Sequence, residues 1–210
     1  MLRYLKGTAG LCIRFSKQAE FNGDLHAWVD ANYGHSHLGV CDCPDLLTLC
    51  DQPGDILPSP CTFRRSTSGF VGFLAGGPIF FRSARQARTV TSSTAAEFLA
   101  AAEVTKPVLH SRILLEELGF GISGSTVIRE DNRPVVAMVA NPVHQGRTRH
   151  LDVQYHFVRE CVADGVVRFK WVSGNVNVAD ILTKPLAAPV FIKHRDKLLH
   201  IFPGDKLHHG

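Results

Sequence analysis

The feature that most constrains the fold of this chain is a pair of short apolar runs on either side of the turn Gly76-Gly77-Pro78. The runs cover residues 69–75 and 79–83, and their arrangement around a glycine turn is typical of a β-hairpin. Before the hairpin, residues 25–29 carry apolar side chains at alternate positions, which predicts a further strand. We therefore expect the first three strands of the chain to form a meander.

The remainder of the domain alternates between helix and strand patterns. Between Ser92 and Leu118, apolar residues recur at steps of four and seven, which predicts a long helix that Pro107 kinks at a cost of about 3 kcal/mol. Further strands are predicted over 125–129 and 166–172, and further helices over 134–140, 152–163 and 176–186. Because crossover connections place the later strands parallel to the first, the predicted fold class is α/β, with a central mixed five-stranded sheet flanked by helices.

The length of 210 residues suffices for one domain with tails or an insertion. Residues 34–62 lose all periodicity and contain four prolines, so we interpret them as a long surface insertion. The domain itself is expected over 24–186, after a leading segment over 1–23. Residues 187–210 are expected to form a basic tail with little pattern.

Composition excludes several classes of protein. Hydrophobic residues make up 45% and charged residues 20% of the chain, and no apolar run is long enough to cross a bilayer, which argues against a membrane partner and against a wholly disordered chain. The start of the chain does not resemble a secretory signal, so we expect an intracellular protein, cytoplasmic or nuclear, whose 6 cysteines are thiols. The net charge of +4 permits a polyanionic partner without requiring one.

Acidic residues occupy positions where an open α/β sheet usually binds its ligands. Asp30 and Asp131 each follow a predicted strand, and Glu97 and Asp180 lie in predicted helices that could reach the same edge of the sheet. Four carboxylates held together repel one another unless cations neutralise them, and Mg²⁺ prefers such oxygen ligands. Two ions about 4 Å apart would stabilise the attacking and leaving oxygens of a phosphodiester displacement.

Ordinary structural roles compete with this interpretation. Thr94 and Glu97 have the spacing of a capping box, and Asp180 could be a first-turn acid that interacts with a helix dipole. Spacing alone favours these structural roles, because a chain with 19 acidic residues has carboxylates near many strand ends.

Several motifs occur in a fixed order along the chain. They are Arg65-Ser-Thr-Ser-Gly-Phe-Val71, Gly76-Gly-Pro-Ile79, Ser92-Ser-Thr-Ala-Ala-Glu-Phe98, Glu130-Asp-Asn132, Arg147-Thr-Arg-His-Leu-Asp-Val153, Tyr155-His-Phe-Val-Arg-Glu160 and Ala179-Asp-Ile-Leu-Thr-Lys-Pro-Leu186. In this order they resemble the ribonuclease H region of copia-type retrotransposon polyproteins over roughly residues 24–186. The opening Leu2–Thr8 resembles the segment that joins the reverse transcriptase of that family to this region.

The resemblance implies a ribonuclease H-like fold and an endonuclease that cuts the RNA strand of an RNA·DNA hybrid with two Mg²⁺ ions, for which Mn²⁺ can substitute. By position it assigns metal binding and catalysis to Asp30, Glu97, Asp131 and Asp180. We hypothesise that Asp30 bridges both ions, that Glu97 and Asp131 hold the leaving-group side, and that Asp180 holds the ion that activates water. The expected partners are the hybrid and the reverse transcriptase part of a polyprotein.

Two other functions stay open. The same scaffold could be a catalytically inactive nucleic-acid-binding relic, which metal-dependent turnover would distinguish from an enzyme. An integrase-like strand transferase is a further possibility, against which the Asp131-Asn132 pair and the Asp180 motif both argue.

Basic and polar residues are candidates for nucleic-acid binding. We assign this role to Arg82, Arg85, Arg88, Asn132, Arg147, Arg149 and His150. A solvated basic face is the competing interpretation for the arginines. His35, His37, Cys41 and Cys43 lack the paired spacing of a zinc site, so we expect them to be loop residues.

Overall fold

The computed structural model describes residues 2–16, 24–34, 65–141 and 152–199. Its strands are β1 (His26–Asn32), β2 (Thr67–Leu74), β3 (Gly77–Arg85), β4 (Thr126–Glu130) and β5 (Val167–Trp171). Its α-helices are α1 (Leu2–Gly7), α2 (Ser93–Glu117), α3 (Arg133–Ala140), α4 (Asp152–Ala163) and α5 (Ala188–Leu198). Two short 3₁₀ helices, Gly174–Val176 and Val178–Leu182, lie between β5 and α5.

The five strands form one mixed sheet in the order β3-β2-β1-β4-β5. The first three strands are an antiparallel meander, and β4 and β5 add in parallel on the other side of β1. The helical connections between β3, β4 and β5 are long enough for the crossovers that parallel strands require. The fold class predicted from the sequence is therefore confirmed.

The two faces of the sheet bury different sets of side chains. Val29 and Ile128 belong to the larger core, which packs against α2, α3 and α4. Trp28 and Val71 belong to a smaller core, against which Leu182 and Leu198 pack from the second 3₁₀ helix and α5. Alternation of side chains along β1 thus gives the sheet a helical layer on each face.

The structure corrects two boundaries that concern the acidic residues. The first strand continues past residue 29 to Asn32, because Asn32 pairs with Thr67 of β2, and Asp30 consequently lies inside the strand. The N-cap of α2 is Ser92, whose hydroxyl accepts a hydrogen bond from the backbone N–H of Ala95. The capping box expected for Thr94 and Glu97 is therefore wrong. Helix α2 also runs through Pro107 without ending.

The C-terminal elements differ most from the sequence prediction. In place of the helix predicted over 176–186, the structure has the two 3₁₀ helices, and the side chain of Asn177 caps the second by accepting from the N–H of Ala179. Residues that we assigned to a patternless tail instead form α5, which buries His194. Helix α5 forms because it covers the smaller core, a contact that sequence periodicity alone did not reveal.

Candidate metal centre

Five carboxylates converge at one edge of the sheet and divide into two groups. The first group is Asp30, Asp131 and Asp180, and the second is Glu97, Glu130 and Asp131. Within each group, one oxygen of every carboxylate lies within 4.8 Å of the others, and Asp131 belongs to both. The structure thus brings together all four acidic residues that the sequence singled out and adds Glu130.

Parallel pairing of β1 with β4 explains why Asp30 and Asp131 meet. Trp28 of β1 pairs with Arg129 of β4, so both strands direct their C-terminal ends to the same edge of the sheet. Asp131 follows β4 directly, and the indole N–H of Trp171 donates to its backbone carbonyl at 3.0 Å.

A close approach of the second 3₁₀ helix to the sheet brings Asp180 to this edge. Gly69 pairs with Asp30, and a Cβ atom at Gly69 would lie 2.5 Å from Thr183 Cγ2. Only glycine therefore lets the helix pack so closely on β2. The Thr183 hydroxyl donates a short hydrogen bond to the carboxylate of Asp30, which links the helix to β1 directly.

Asn177 fixes the same helix from the other side. Its side chain is fully buried, and its Nδ2 donates to the carbonyl of Val29 at 2.8 Å. Its Oδ1 accepts from the N–H of Ala179 at 3.2 Å, so one side chain joins β1 to the first turn of the helix that carries Asp180.

Glu97 reaches the site from the first two turns of α2. Gln86 is buried and its Nε2 donates to Ser68 Oγ at 2.9 Å and to the carbonyl of Ala96 at 2.8 Å. These two hydrogen bonds anchor the start of α2 to β2 immediately before Glu97. Sequence reasoning did not find Gln86 or Asn177, because neither stands out until the elements they join are in place.

Glu130 is the acidic residue that sequence reasoning missed. It is 0% exposed, at the inward-facing end of β4, and its Oε1 accepts from the N–H of Asn132 at 3.0 Å. Its Oε2 is buried and has no hydrogen-bond partner, and the same holds for Oε2 of Glu97. A glutamate at an inward position of a buried strand, next to Asp131, is the signal that could have identified it.

Burial and mutual repulsion shift the protonation of the group. Burial, followed by the neighbouring carboxylate of Glu130, raises the pKa of Glu97 to about 10. Burial also raises the pKa of Glu130 well above its usual value, and burial together with Asp30 raises the pKa of Asp180 to about 6. In the metal-free protein, burial first and the neighbouring carboxylates second thus favour the protonated form of these acids.

The donor set fits hard divalent cations. All candidate ligands are carboxylate oxygens, which Mg²⁺ and Mn²⁺ prefer, and two of the buried oxygens have no other partner. Lys184 contacts the cluster, with Nζ 2.9 Å from Asp180 Oδ1 and 3.8 Å from Asp30 Oδ2.

The candidate nucleic-acid contacts fall into three sets. Arg82 and Arg85 are exposed on β3, and Arg88 is exposed just after it. The side-chain oxygen of Asn132 caps α3 by accepting from Val135 N–H, so this side chain has a structural role as well. Arg147, Arg149 and His150 lie outside the described residues, as do His35, His37, Cys41, Cys43 and most of the predicted insertion over 34–62.

Two further sequence expectations concern thiols and membranes. Within the described ranges, Cys12 and Cys161 are free thiols. None of the helices in these ranges combines the length and apolarity needed to cross a bilayer.

Comparison with known proteins finds relatives of the sequence. No protein-family model matches the chain. It is 32% identical over 184 residues to the retrovirus-related Pol polyprotein from transposon TNT 1-94 of Nicotiana tabacum, covering 88% of this chain and 12% of the relative. It is 32% identical over 198 residues to the corresponding polyprotein from transposon RE1 of Arabidopsis thaliana, covering 94% and 12%. The chain therefore spans about 12% of the length of these relatives.

Solved structures with a similar backbone are more distant. A crystal structure of LC11-RNase H1 in complex with an RNA/DNA hybrid matches with a TM-score of 0.47 and 13% identity, over 76% of this chain and 93% of that one. The foamy viral protease-reverse transcriptase in complex with an RNA/DNA hybrid matches with a TM-score of 0.48 and 12% identity, over 81% of this chain and 21% of that one.

Proposed function

The chain is homologous to a segment of the retrovirus-related Pol polyproteins of plant transposons, and from this premise we propose that it is a divalent-metal-dependent endonuclease that hydrolyses the RNA strand of RNA·DNA hybrids. The motifs quoted above predicted this relationship from the sequence alone. Catalysis is assigned to Asp30, Glu97, Asp131 and Asp180, with Glu130 as an additional ligand.

The observation that carries the proposal is the pair of carboxylate groups that share Asp131. Asp30, Asp131 and Asp180 would hold one ion, and Glu97, Glu130 and Asp131 would hold the other. Asp131 is common to the two groups, and the bridging role that the sequence assigned to Asp30 stays a prediction. Bound Mg²⁺ supplies an activated water and stabilises the negative charge that develops on the phosphate and the leaving oxygen.

The protein's own contribution is to fix these carboxylates before substrate arrives. Thr183 and Asn177 hold Asp30 and the Asp180 helix in place, and Gln86 positions the turn before Glu97. A rigid site of this kind requires little reorganisation during the reaction. Asp131 additionally has its backbone fixed by Trp171.

Hybrid binding is proposed to depend on phosphate contacts and on the shape of the duplex. Arg82, Arg85 and Arg88 on and after β3, together with Asn132, Arg147, Arg149 and His150, are the candidate contacts. Since grooves of hybrid duplexes expose little readable sequence, we expect low sequence specificity. In a polyprotein, the reverse transcriptase part would produce the hybrid that this domain cleaves.

The test is cleavage of one end-labelled RNA presented in three forms: single-stranded, in an RNA duplex and in an RNA·DNA hybrid. With Mg²⁺ or Mn²⁺, we expect the full chain to cleave only the hybrid and to leave 3′-hydroxyl and 5′-phosphate ends. Equal cleavage of the single strand would contradict the proposed substrate. A folded protein that binds the hybrid and cleaves nothing with either metal would instead be the inactive nucleic-acid-binding relic.

A further inference from the structure

Lys184 places a positive charge inside the first carboxylate group. Its Nζ lies 2.9 Å from Asp180 Oδ1 and 3.8 Å from Asp30 Oδ2, and the Asp30 side chain is only 3% exposed. Asp180 is four residues earlier in the chain, and the backbone N–H of Lys184 donates to the Asp180 carbonyl at 3.1 Å. This backbone hydrogen bond holds Lys184 beside the short helix that carries Asp180.

The second carboxylate group has no equivalent. Among the residues that the structure describes, no ion pair involves Glu97 or Glu130. Within the described ranges, the two groups thus differ in their ion pairs: Lys184 contacts Asp30 and Asp180 of the first group, and no basic side chain forms an ion pair with Glu97 or Glu130 of the second.

An ammonium and a divalent cation compete for the same carboxylates. Both would approach Asp30 and Asp180 to within a few ångströms, where two positive charges repel strongly in a partly buried site. Binding of the divalent ion is therefore favoured when the ammonium moves away. The lysine side chain is attached through a flexible four-carbon stem and is 36% exposed, so it can move out toward solvent.

We propose that Lys184 is an internal counter-ion of the first group, which neutralises Asp30 and Asp180 in the metal-free protein and which a divalent ion must displace. This inference rests on the proposed metal-dependent function. It makes Lys184 a positioning residue that preserves the spacing of the acids, and it implies that Lys184 weakens metal binding while it stabilises the metal-free fold.

The test compares Lys184→Met with Lys184→Arg and with Lys106→Met, which removes the same charge from an exposed position of α2. We expect Lys184→Met to lower the melting temperature in EDTA and to bind Mg²⁺ roughly tenfold more tightly by calorimetry, because the competing charge is gone. Lys184→Arg should behave like the wild type in both measurements, and Lys106→Met should change neither. A merely structural lysine would lower stability without tightening Mg²⁺ binding.

A second measurement uses only the wild-type chain, so misfolding of a variant cannot affect its result. Acylation of Lys184 by an amine-reactive reagent, followed by mass spectrometry, should be faster in Mg²⁺ than in EDTA, while Lys106 reacts equally in both. Unchanged Mg²⁺ affinity in Lys184→Met, or equal acylation of Lys184, would overturn the inference. Hybrid cleavage by the wild type separates the role of Lys184 from the proposed nuclease function. If the wild type cleaves but Lys184→Met binds Mg²⁺ with unchanged affinity, only the role of Lys184 is refuted. If Lys184→Met binds Mg²⁺ more tightly but the wild type does not cleave, only the nuclease function is refuted.

Discussion

Glu97 and Glu130 each bury a carboxylate oxygen that has no hydrogen-bond partner. Their pKa values are raised by burial first and by neighbouring carboxylates second. A buried acid with a raised pKa binds a proton in the folded state at a pH where the unfolded chain has already lost it. The stability of the metal-free protein should therefore fall as the pH rises above the ordinary value of a glutamate.

Glu97→Gln tests whether the stability of the metal-free protein falls as the pH rises. The variant resembles the protonated acid at every pH, so in EDTA it should match the wild type near pH 4.5 and exceed it increasingly up to the folded-state pKa of about 10. At pH 9 we expect an advantage of at least about 1 kcal/mol in the free energy of unfolding, measured by urea denaturation. A difference between the two proteins that does not change with pH would show that Glu97 is not held protonated.

Glu130→Gln tests whether this residue belongs to the metal site. Because the amide offers a weaker, uncharged donor, we expect Mn²⁺ binding at the second group to weaken by about tenfold or more in calorimetry. Glu103→Gln on α2, which lies six residues beyond Glu97 and outside both carboxylate groups, is the matched control. Unaltered Mn²⁺ binding would remove Glu130 from the ligand set.

The sequence was informative about residues that belong to recognisable motifs. Glu97, Asp131 and Asp180 stand in quoted motifs, Asp30 was assigned by its position at the end of the first predicted strand, and all four lie in the cluster. Glu130 also stands in a quoted motif, but it was not assigned to the site, because its complete burial next to Asp131 is evident only in the structure. Lys184 stands inside a quoted motif, but only the geometry shows that its ammonium lies between two of the acids.

At the scale of elements, periodicity predicted the strands and the longer helices well. The hairpin, α2, α3, α4, β4 and β5 lie within a few residues of the predicted ranges, since each has a regular apolar pattern. The 3₁₀ helices were not predicted, because the hydrogen bonds of Asn177 and the close approach at Gly69 determine them. Helix α5 was missed because its apolar contacts form only against the second face of the sheet.

Pro107 in α2 provides a test of an element. Proline cannot donate a backbone hydrogen bond and crowds the preceding turn, which costs about 3 kcal/mol in a helix interior. Proline also restricts the unfolded chain, which offsets about 1 kcal/mol of this cost. We therefore expect Pro107→Ala to raise the free energy of unfolding by about 1–2 kcal/mol in urea denaturation. A lower or equal stability would indicate that the surrounding helix has adapted to the proline. The control is Ala95→Gly, which should destabilise the first turn of the same helix by about 1 kcal/mol.

At the scale of the whole molecule, the sheet joins segments that are far apart in sequence. Residues from β1, α2, the end of β4 and the second 3₁₀ helix contribute to one acidic edge, in a chain whose net charge is +4. The net positive charge permits the polyanionic substrate that we propose, and the acidic edge is where the proposed metal ions would bind. Topology was predictable because a meander followed by crossovers leaves few arrangements.

Hybrid binding should depend on salt in proportion to the number of phosphate contacts. Replacing Arg82 and Arg88 by alanine should reduce the slope of log affinity against log salt by roughly 2, one unit for each lost contact, in fluorescence anisotropy titrations. The control replaces Arg3 and Lys6 of α1 by alanine. Both residues are exposed, and their replacement removes the same charge. An unchanged slope would show that Arg82 and Arg88 belong to a solvated basic face.

The proposed metal site is tested by the rate of hybrid cleavage at increasing Mg²⁺ concentration for the wild type and for Asp131→Asn. Because Asp131 belongs to both carboxylate groups, we expect the wild type to cleave only when Mg²⁺ is present. We expect that Asp131→Asn loses at least about a thousandfold in rate while its circular dichroism spectrum and melting curve remain those of a folded protein. Cleavage by Asp131→Asn at the wild-type rate, or cleavage by the wild type in EDTA, would contradict the proposed metal site.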